Sequence, residues 1–418
     1  MKHGRRFVAL PLLALFLFLA PTAMAKIIWY VNGANGSDGN NCKSPKTACK
    51  TIGHAIALGP SGSVIFVGPS IYAENLTINS SLAIIGSGSD TTIIDGQHLN
   101  TVVSIPNSKA HVVIAGFTIR NGEASYDAGG SGGGIANRGT LVVFKSIITQ
   151  NVAGDFSADD SDGAGIYNRG MLTLRYSTVS DNETEYSYFG YGGGIFTDGT
   201  ATISDSTIAN NIGGATDMYG TGIYNGGMMV VNRSVISGNQ YAFDGSGIFN
   251  DRLGTATINN STITGNGNYY SYGGGIANAG TLAINNSTIS GNEASGTSGV
   301  VGPATIQNSI VADNLTGNCF GTMTSVGYNL SSDKTCNFNG PGDQNNVEPK
   351  LGPLLNNGGP TQTLAELAGS PTIDAGNPEG CTDSQGHLLK TDQRGFPRPG
   401  RFKRKHRCDM GAFERQRD

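Results

Sequence analysis

The sequence predicts an all-β chain wound as a right-handed parallel β-helix, a solenoid of about ten coils with three strands per coil. Three observations carry this reading. Units of about 28 residues recur in strict register from Ile135 to Asn314. Within each unit the apolar residues are spaced by two, the strand period, and not by 3.6. Glycine supplies 63 of the 418 residues without the every-third spacing of collagen. Charged residues, at 14%, are too few for a disordered polyelectrolyte.

Four segments follow in order. Residues 1–25 read as a secretory signal peptide. Lys2, Arg5 and Arg6 precede an apolar run from Phe7 to Ala20, and Ala23-Met24-Ala25 supplies the cleavage signal. The mature chain is then expected to start at Lys26, outside the cytoplasm and without a transmembrane segment. Residues 26–62 form an N-terminal cap. Lys50 to Leu58 places Ile52, Ala55 and Ile56 on one helical face, as a short helix over the open end of the coil would.

Residues 63–314 are the solenoid itself. Its early coils are less regular, with apolar runs from Val64–Val67 to Val112–Ile119. From Ile135 the register becomes strict. Counted from the Ile of each Gly-x-Gly-Ile, apolar residues stand at +6, +8 and +13, Ser at +11 and Asn at +16, the Ile248 unit fitting after a two-residue insertion near Arg252 with Ile258, Ser261, Ile263 and Asn266. The six markers are Ile135, Ile166, Ile195, Ile223, Ile248 and Ile276, and a truncated copy ends in Ile306, Ser309, Val311 and Asn314. No single unit can bury its apolar side, whereas stacking turns each column into a continuous core. The closing asparagines, Asn151, Asn182, Asn211, Asn239, Asn266, Asn292 and Asn314, are expected to stack as a hydrogen-bonded ladder. The Ser column and the paired glycines mark corners, where Gly permits positive φ and close backbone approach. A leucine-rich solenoid needs shorter Leu-rich units, and a propeller needs longer blades with Trp-Asp signatures; the chain has one Trp.

Residues 315–418 are turn-rich and are expected to continue and close the C-terminal end, shielding its edge. The run Arg401 to Arg407 makes this segment basic. From His387 onward there are ten Lys or Arg against four Asp or Glu, so the body before it is strongly acidic. An acidic, exported body argues against nucleic acid as a partner. The six cysteines form three sequence-local couples, Cys42 with Cys49, Cys319 with Cys336, and Cys381 with Cys408. Disulfides are expected in an oxidising compartment, and local pairing is the expectation among the 15 connectivities possible.

Several strings resemble known families. Asn357-Gly358-Gly359-Pro360-Thr361, Ser370 to Gly376, Asp392-Gln393-Arg394-Gly395 and Cys408 to Glu414 resemble the bacterial choice-of-anchor Q domain over about the last 65 residues. The Gly-Gly-Gly-Ile and Ile-x-x-Asn units are similar to polymorphic outer-membrane protein repeats, with Ile or Val where those carry Phe. Cys49-Lys50-Thr51-Ile52 with Asn75-Leu76-Thr77-Ile78 is similar to the opening of pectin-lyase-like β-helices. The resemblances imply a bacterial exported or surface protein, adhesive or glycan-related. They supply no catalytic residue to carry over, and with Arg415 to Asp418 after Glu414 retention by a surface anchor is not the expectation.

The functional expectation falls on the variable stretches between each Asn and the next Gly-x-Gly-Ile. Stacking would line them up along one edge. From Glu123–Ser131 to Glu293–Ser298 they hold 11 acidic residues, 12 Tyr or Phe and no Lys or Arg. Tyr186, Tyr188, Phe189 and Tyr191 form one cluster and Tyr269, Tyr270 and Tyr272 another. Aromatic faces suit sugar C–H groups and carboxylates suit sugar hydroxyls, so the edge is read as a binding surface for a glycan or a cell-surface partner. Asp155, Asp159, Asp160 and Asp162 crowd one loop, an arrangement that calcium would relieve. The alternative is a polysaccharide lyase or hydrolase, for which Arg138 and Arg169, expected on a different face, are the candidate bases. A structural surface protein without ligand is the third reading. Oligomeric state is not legible.

Overall fold

The computed structural model describes residues 27–124, 130–154, 160–185, 189–268, 271, 273–383, 385–399 and 407–416. The signal-peptide expectation for residues 1–25 therefore lies outside the described residues, as do Arg401 to His406 of the basic run. The chain is an all-β parallel solenoid. Its first sheet has twelve strands, from Ile28–Val31 to Met323–Gly327; its second has twelve, from Ser70–Ala73 to Gln344–Asn345; its third has ten, from Leu76–Thr77 to Cys319–Phe320. The evenly repeating part makes about seven turns. Pairing within these sheets is parallel and holds register coil after coil, as in Ile135↔Ile166↔Ile195↔Ile223↔Ile248↔Ile276. Within these three sheets the register slips at a bulge between Ile306 and Gln307.

The core fills the inside of the coil. Ile135, Ile166, Ile195, Ile223, Ile248 and Ile276 of the third sheet are fully buried, and so are Ile148, Val179, Ile208, Ile236, Ile263 and Ile289 of the second. The first sheet adds two columns, Leu141 to Leu282 and Val143 to Ile284. Each buried Leu or Ile contributes roughly 1.5–3 kcal/mol, and the columns join into one continuous core.

Polar ladders fix the corners. Between the second and third sheets, each Asn Nδ2 donates to the Oδ1 of the next, at 2.9, 3.0, 2.8, 2.9, 3.0 and 2.9 Å from Asn151 to Asn314. Between the first and second sheets, each Ser hydroxyl accepts from the backbone N–H of the Ser one coil earlier, as at Ser177–Ser206 and Ser206–Ser234, both 3.2 Å. A third ladder, which the repeat reading passed over, runs along the end of the third sheet. Asn137 donates to Asn168 at 2.7 Å, Asn168 to the Thr197 hydroxyl at 2.9 Å, Asn225 to Asn250 and Asn250 to Asn278 at 2.6 Å.

The corner chemistry differs from expectation in one respect. Glycine takes positive φ at the first Gly of the motif, such as Gly192 (φ 65°) and Gly220 (φ 64°). The second Gly is required by crowding: a Cβ on Gly194 would sit 2.6 Å from the Gly222 carbonyl and 2.7 Å from Asn211. At the Ser corner ordinary residues bend the chain, and at the Asn corner they share this with Gly238, Gly265 and Gly291 (φ 64–67°). Lys145, Tyr176, Asp205 and Arg233 precede the Ser column with φ of 47–53°, and Gln150, Asp181 and Asn210 precede the Asn column with φ of 55°. Single left-handed residues turn the chain sharply between strands, and the ladders hold them there.

At the N-terminal end a helix, Ile52–Leu58, buries Ile52 and Ala55 and packs against Ile28–Val31, Ser63–Val67 and Leu76–Thr77. Thr51 caps it, and the Glu74 carboxylate accepts from the Ile52 and Gly53 N–H groups at 2.8 and 2.7 Å. All three cysteine couples are disulfides: Cys42–Cys49, Cys319–Cys336 and Cys381–Cys408.

The C-terminal segment departs from its expected place. After Gln344–Asn345 it leaves the end of the solenoid and runs back along the outer side of the second sheet. Thr361 bonds the Arg233 carbonyl (3.2 Å), Gln393 the Thr262 hydroxyl (2.7 Å), Ala412 the Thr288 hydroxyl (3.0 Å) and Gly411 the Asn308 carbonyl (2.8 Å). Outward residues of that sheet, Val235, Thr262, Thr288, Ile310 and Ala312, are buried under it. The segment closes a side because that side carries apolar and small residues facing outward, which water would otherwise meet.

Candidate functional site

The variable stretches are not plain loops. Next to the second sheet they form a short parallel ladder, Glu123–Ala124, Val152–Ala153, Glu183–Thr184 and Ile212–Gly213. Beyond it a second ladder comprises Asp160–Asp162, Phe189–Tyr191 and Asp217–Tyr219. Ala124, Ala153 and Thr184 on the first, and Ser161 and Met218 on the second, are fully buried. The inserts therefore fold as a ribbon with its own small core, held against the outer face of the third sheet.

Rings fill the seam. The residue after each motif Ile points outward from the third sheet, and in four successive coils it is aromatic: Tyr167, Phe196, Tyr224 and Phe249. Their rings stack at 4.9, 5.2 and 5.7 Å with interplanar angles of 16°, 1° and 13°. The spacing follows the coil rise, about 4.8 Å. From the ribbon, Tyr191 stacks on Tyr219 at 5.8 Å and meets Tyr224 edge-on at 4.9 Å. Tyr219 meets Phe249 and Phe243 edge-on at 5.0 and 5.8 Å. Tyr167 and Phe196 are buried in this seam.

Carboxylates line the seam. Burial, then the nearby Asp251 carboxylate, pushes the Tyr224 phenol far above its ordinary value. Burial raises Asp244, whose Oδ1 is buried without a hydrogen-bond partner among the described residues, while the Gly245 N–H opposes the rise. Burial also raises Tyr219, with Asp217 and Asp244 adding to it. Asp162 is buried beside Tyr167.

Of the sequence-named residues, Phe189 stands out from the ribbon, 43% exposed, and Tyr191 is engaged in ring contacts. Tyr186, Tyr188, Tyr269, Tyr270 and Tyr272 lie outside the described residues, as do Asp155 and Asp159. Asp160 is described only as backbone, so the four-aspartate calcium group is not described as a unit. Among the described residues the one group with metal-ligand spacing is Cys42, Cys49 and His54, and its cysteines are joined in a disulfide.

The arginines correct the earlier placement on a different face. Arg169 lies over the Tyr167 ring, 5.3 Å from its centroid, and pairs with Asp198 at 3.7 Å. Arg138 also acts electrostatically on Tyr167. Both therefore stand at one end of the aromatic seam. Half-exposed, the Arg169–Asp198 pair contributes little to stability. The stacked column Tyr167 to Phe249 escaped the sequence reading, although one signal was present: four aromatic residues at the position directly after the motif Ile.

No family model and no curated protein matches the chain. Among solved structures it is similar to XylC in complex with xylose, with a TM-score of 0.52 and 9% identity, over 92% of this chain and 98% of that one. It is also similar to pectate lyase Pel9A (TM-score 0.46, 16% identity, 94% and 97% of the chains). A pectin methylesterase from carrot follows (TM-score 0.33, 12% identity, 75% and 83%). The likeness to the XylC structure is one of fold. Among the described residues no helix is long and apolar enough to cross a membrane.

Proposed function

We propose that this chain is an exported binding protein that recognises a glycan on the ribbon side of the third sheet. The observation that carries the reading is the seam itself. Interlocked rings make the ribbon rigid, and successive ribbon segments leave Phe189, Tyr241 and Phe243 exposed at 43%, 51% and 42% beside Asp217 and Asp244. Open aromatic surface next to carboxylates matches the C–H faces and hydroxyls of a sugar. A rigid scaffold under the rings lowers the cost of ordering them on binding. Three disulfides suit an oxidising compartment and support export. The fold-level likeness to a xylose complex agrees with a sugar ligand without naming it.

A lyase or hydrolase is the second reading, favoured by one observation: Arg138 and Arg169 stand at the end of the same seam. One experiment separates the two. The mature protein is passed over a polysaccharide panel with and without calcium, scoring retention and chain cleavage together. Retention without cleavage is expected, weakened a few-fold to about tenfold by Phe189→Ala or Tyr241→Ala. Cleavage abolished by Arg169→Ala would replace binding with catalysis. Neither retention nor cleavage would leave a protein partner on the cell surface or a structural role.

A further inference from the structure

Two of the three outer faces of the solenoid are occupied. The ribbon lies against the third sheet, and the C-terminal segment forms a strap over the second, from Arg233 to Asn308. The outer face of the first sheet carries neither. Met171, Met228 and Val230 stand 56%, 63% and 36% exposed on it. The strap meets this face at one margin, where Gln307 donates to the Thr382 hydroxyl at 3.1 Å.

The face is set apart by its charge. The chain holds 31 Asp and Glu, yet none falls in the twelve strands of this sheet, and no Lys does either. Arg175 stands half-buried at one margin, over the Tyr176 ring, and His111 at the other. The middle outward column consists of Ile, Val, Ala and Thr. It pairs in register from Ile28 through Val142, Thr202 and Val230 to Thr324. Beside it Asn259 donates to Asn232 and accepts from Asn285, both at 2.9 Å, so these marginal amides have partners within the chain.

Charge, period and area together say what fits here. The body of the chain is acidic, and two copies repel wherever carboxylates face each other; on this sheet none do. The coils form ridges at the coil rise, about 4.8 Å. Two identical copies share that spacing, so the ridges of one fit the grooves of the other, the self-complementarity that a two-fold pair requires. Twelve strands at about 4.8 Å, with about five residues each at about 3.3 Å, cover about 50 by 16 Å, or about 800 Å². A stable interface of standard size takes about 800 Å² from each partner. Val, Ala and Thr also give up little side-chain freedom when they pack. A glycan, by contrast, would find no carboxylate to accept from its hydroxyls.

We propose that two copies of this chain pair face to face through the first sheet, middle column on middle column, about a two-fold axis in the plane of the sheet. The ribbon side of each copy stays open in such a pair.

The test is the mass of the whole mature chain across micromolar concentrations, by light scattering behind size exclusion and by sedimentation velocity. Twice the chain mass is expected. Val230→Glu and Thr257→Glu each set a carboxylate in the middle column of both copies, and each should weaken the pair about tenfold or more, with the circular dichroism spectrum unchanged. Leu99→Glu adds the same charge at a side chain 71% exposed and off this face, and should leave the pair intact. A wild-type chain that is monomeric throughout overturns the proposal. So does a dimer undiminished in both glutamate variants, which would move the contact to the ribbon or the strap. A monomer whose retention on polysaccharide is lost in Val230→Glu would give the face to a glycan instead.

Discussion

At the scale of single residues, the repeat works because one amide side chain satisfies several backbone groups at once. Asn211 donates to Asn239 Oδ1 at 2.8 Å and to the Val179 carbonyl at 3.2 Å, and accepts from the N–H and Nδ2 of Asn182 at 3.2 and 3.0 Å. All of this is buried. Replacing it by Ala would orphan donors on one coil and acceptors on another, each costing about 1–3 kcal/mol. Asn211→Ala is therefore expected to lower stability by about 3–4 kcal/mol in urea unfolding. Thr202→Ala, on the outward face of the first sheet, should stay within about 0.5 kcal/mol. Equal losses in the two variants would mean that the ladder adds nothing beyond ordinary strand pairing.

At the scale of elements, the aromatic seam divides its rings into two classes. Phe196 is buried between Tyr167 and Tyr224, so its faces are used by other rings. Phe196→Ala should cost about 3 kcal/mol by the usual cost of a buried aromatic, and should make the ribbon more sensitive to protease. Phe189→Ala should leave the unfolding midpoint nearly unchanged and act on retention of glycan alone; a variant pair with the opposite pattern would exchange their roles. This division also marks how far the sequence was legible. Columns built from one repeated residue type, the Ile, Ser and Asn positions, could be read because identity recurs at fixed offset. The Tyr167 to Phe249 column spans four coils and mixes Tyr with Phe, so it did not register as a repeat. Placing the loops on a separate edge of a three-sided coil puts Arg138 and Arg169 on another face, whereas the ribbon folds back over the third sheet. The strap's position was illegible for a different reason: it depends on contacts such as Gln393 with Thr262, 131 residues apart, which no local pattern encodes.

At the scale of the whole molecule, each coil meets only its neighbours, apart from the strap, which crosses from Arg233 to Asn308. A solenoid of this kind is stabilised by the sum of its coils and the interfaces between them, so a complete coil should be removable where the strap does not reach. Ile166 to Gly194 is such a coil. It begins at one motif Ile and ends just before the next, and Ile135, Ile166 and Ile195 already pair in one register. Joining Gly165 to Ile195 would set Ile135 on Ile195, Leu141 on Ala201 and Ile148 on Ile208, and would bring Asn151 onto Asn211. It would also place Asn137 on Thr197, which already accepts from Asn168 at 2.9 Å. The shortened protein is expected to unfold in one cooperative transition, with an m-value reduced in proportion to the surface removed. Removing only Ile166 to Val179 deletes the strands of two sheets and two of the three residues of the next strand, Thr178–Ser180, and leaves the rest of that coil without its columns. That variant should not fold, since each inward Ile would face solvent or a mismatched neighbour. Circular dichroism with urea unfolding of both deletions reads the outcome, and a whole-coil deletion as damaging as the partial one would show that stability is not distributed coil by coil.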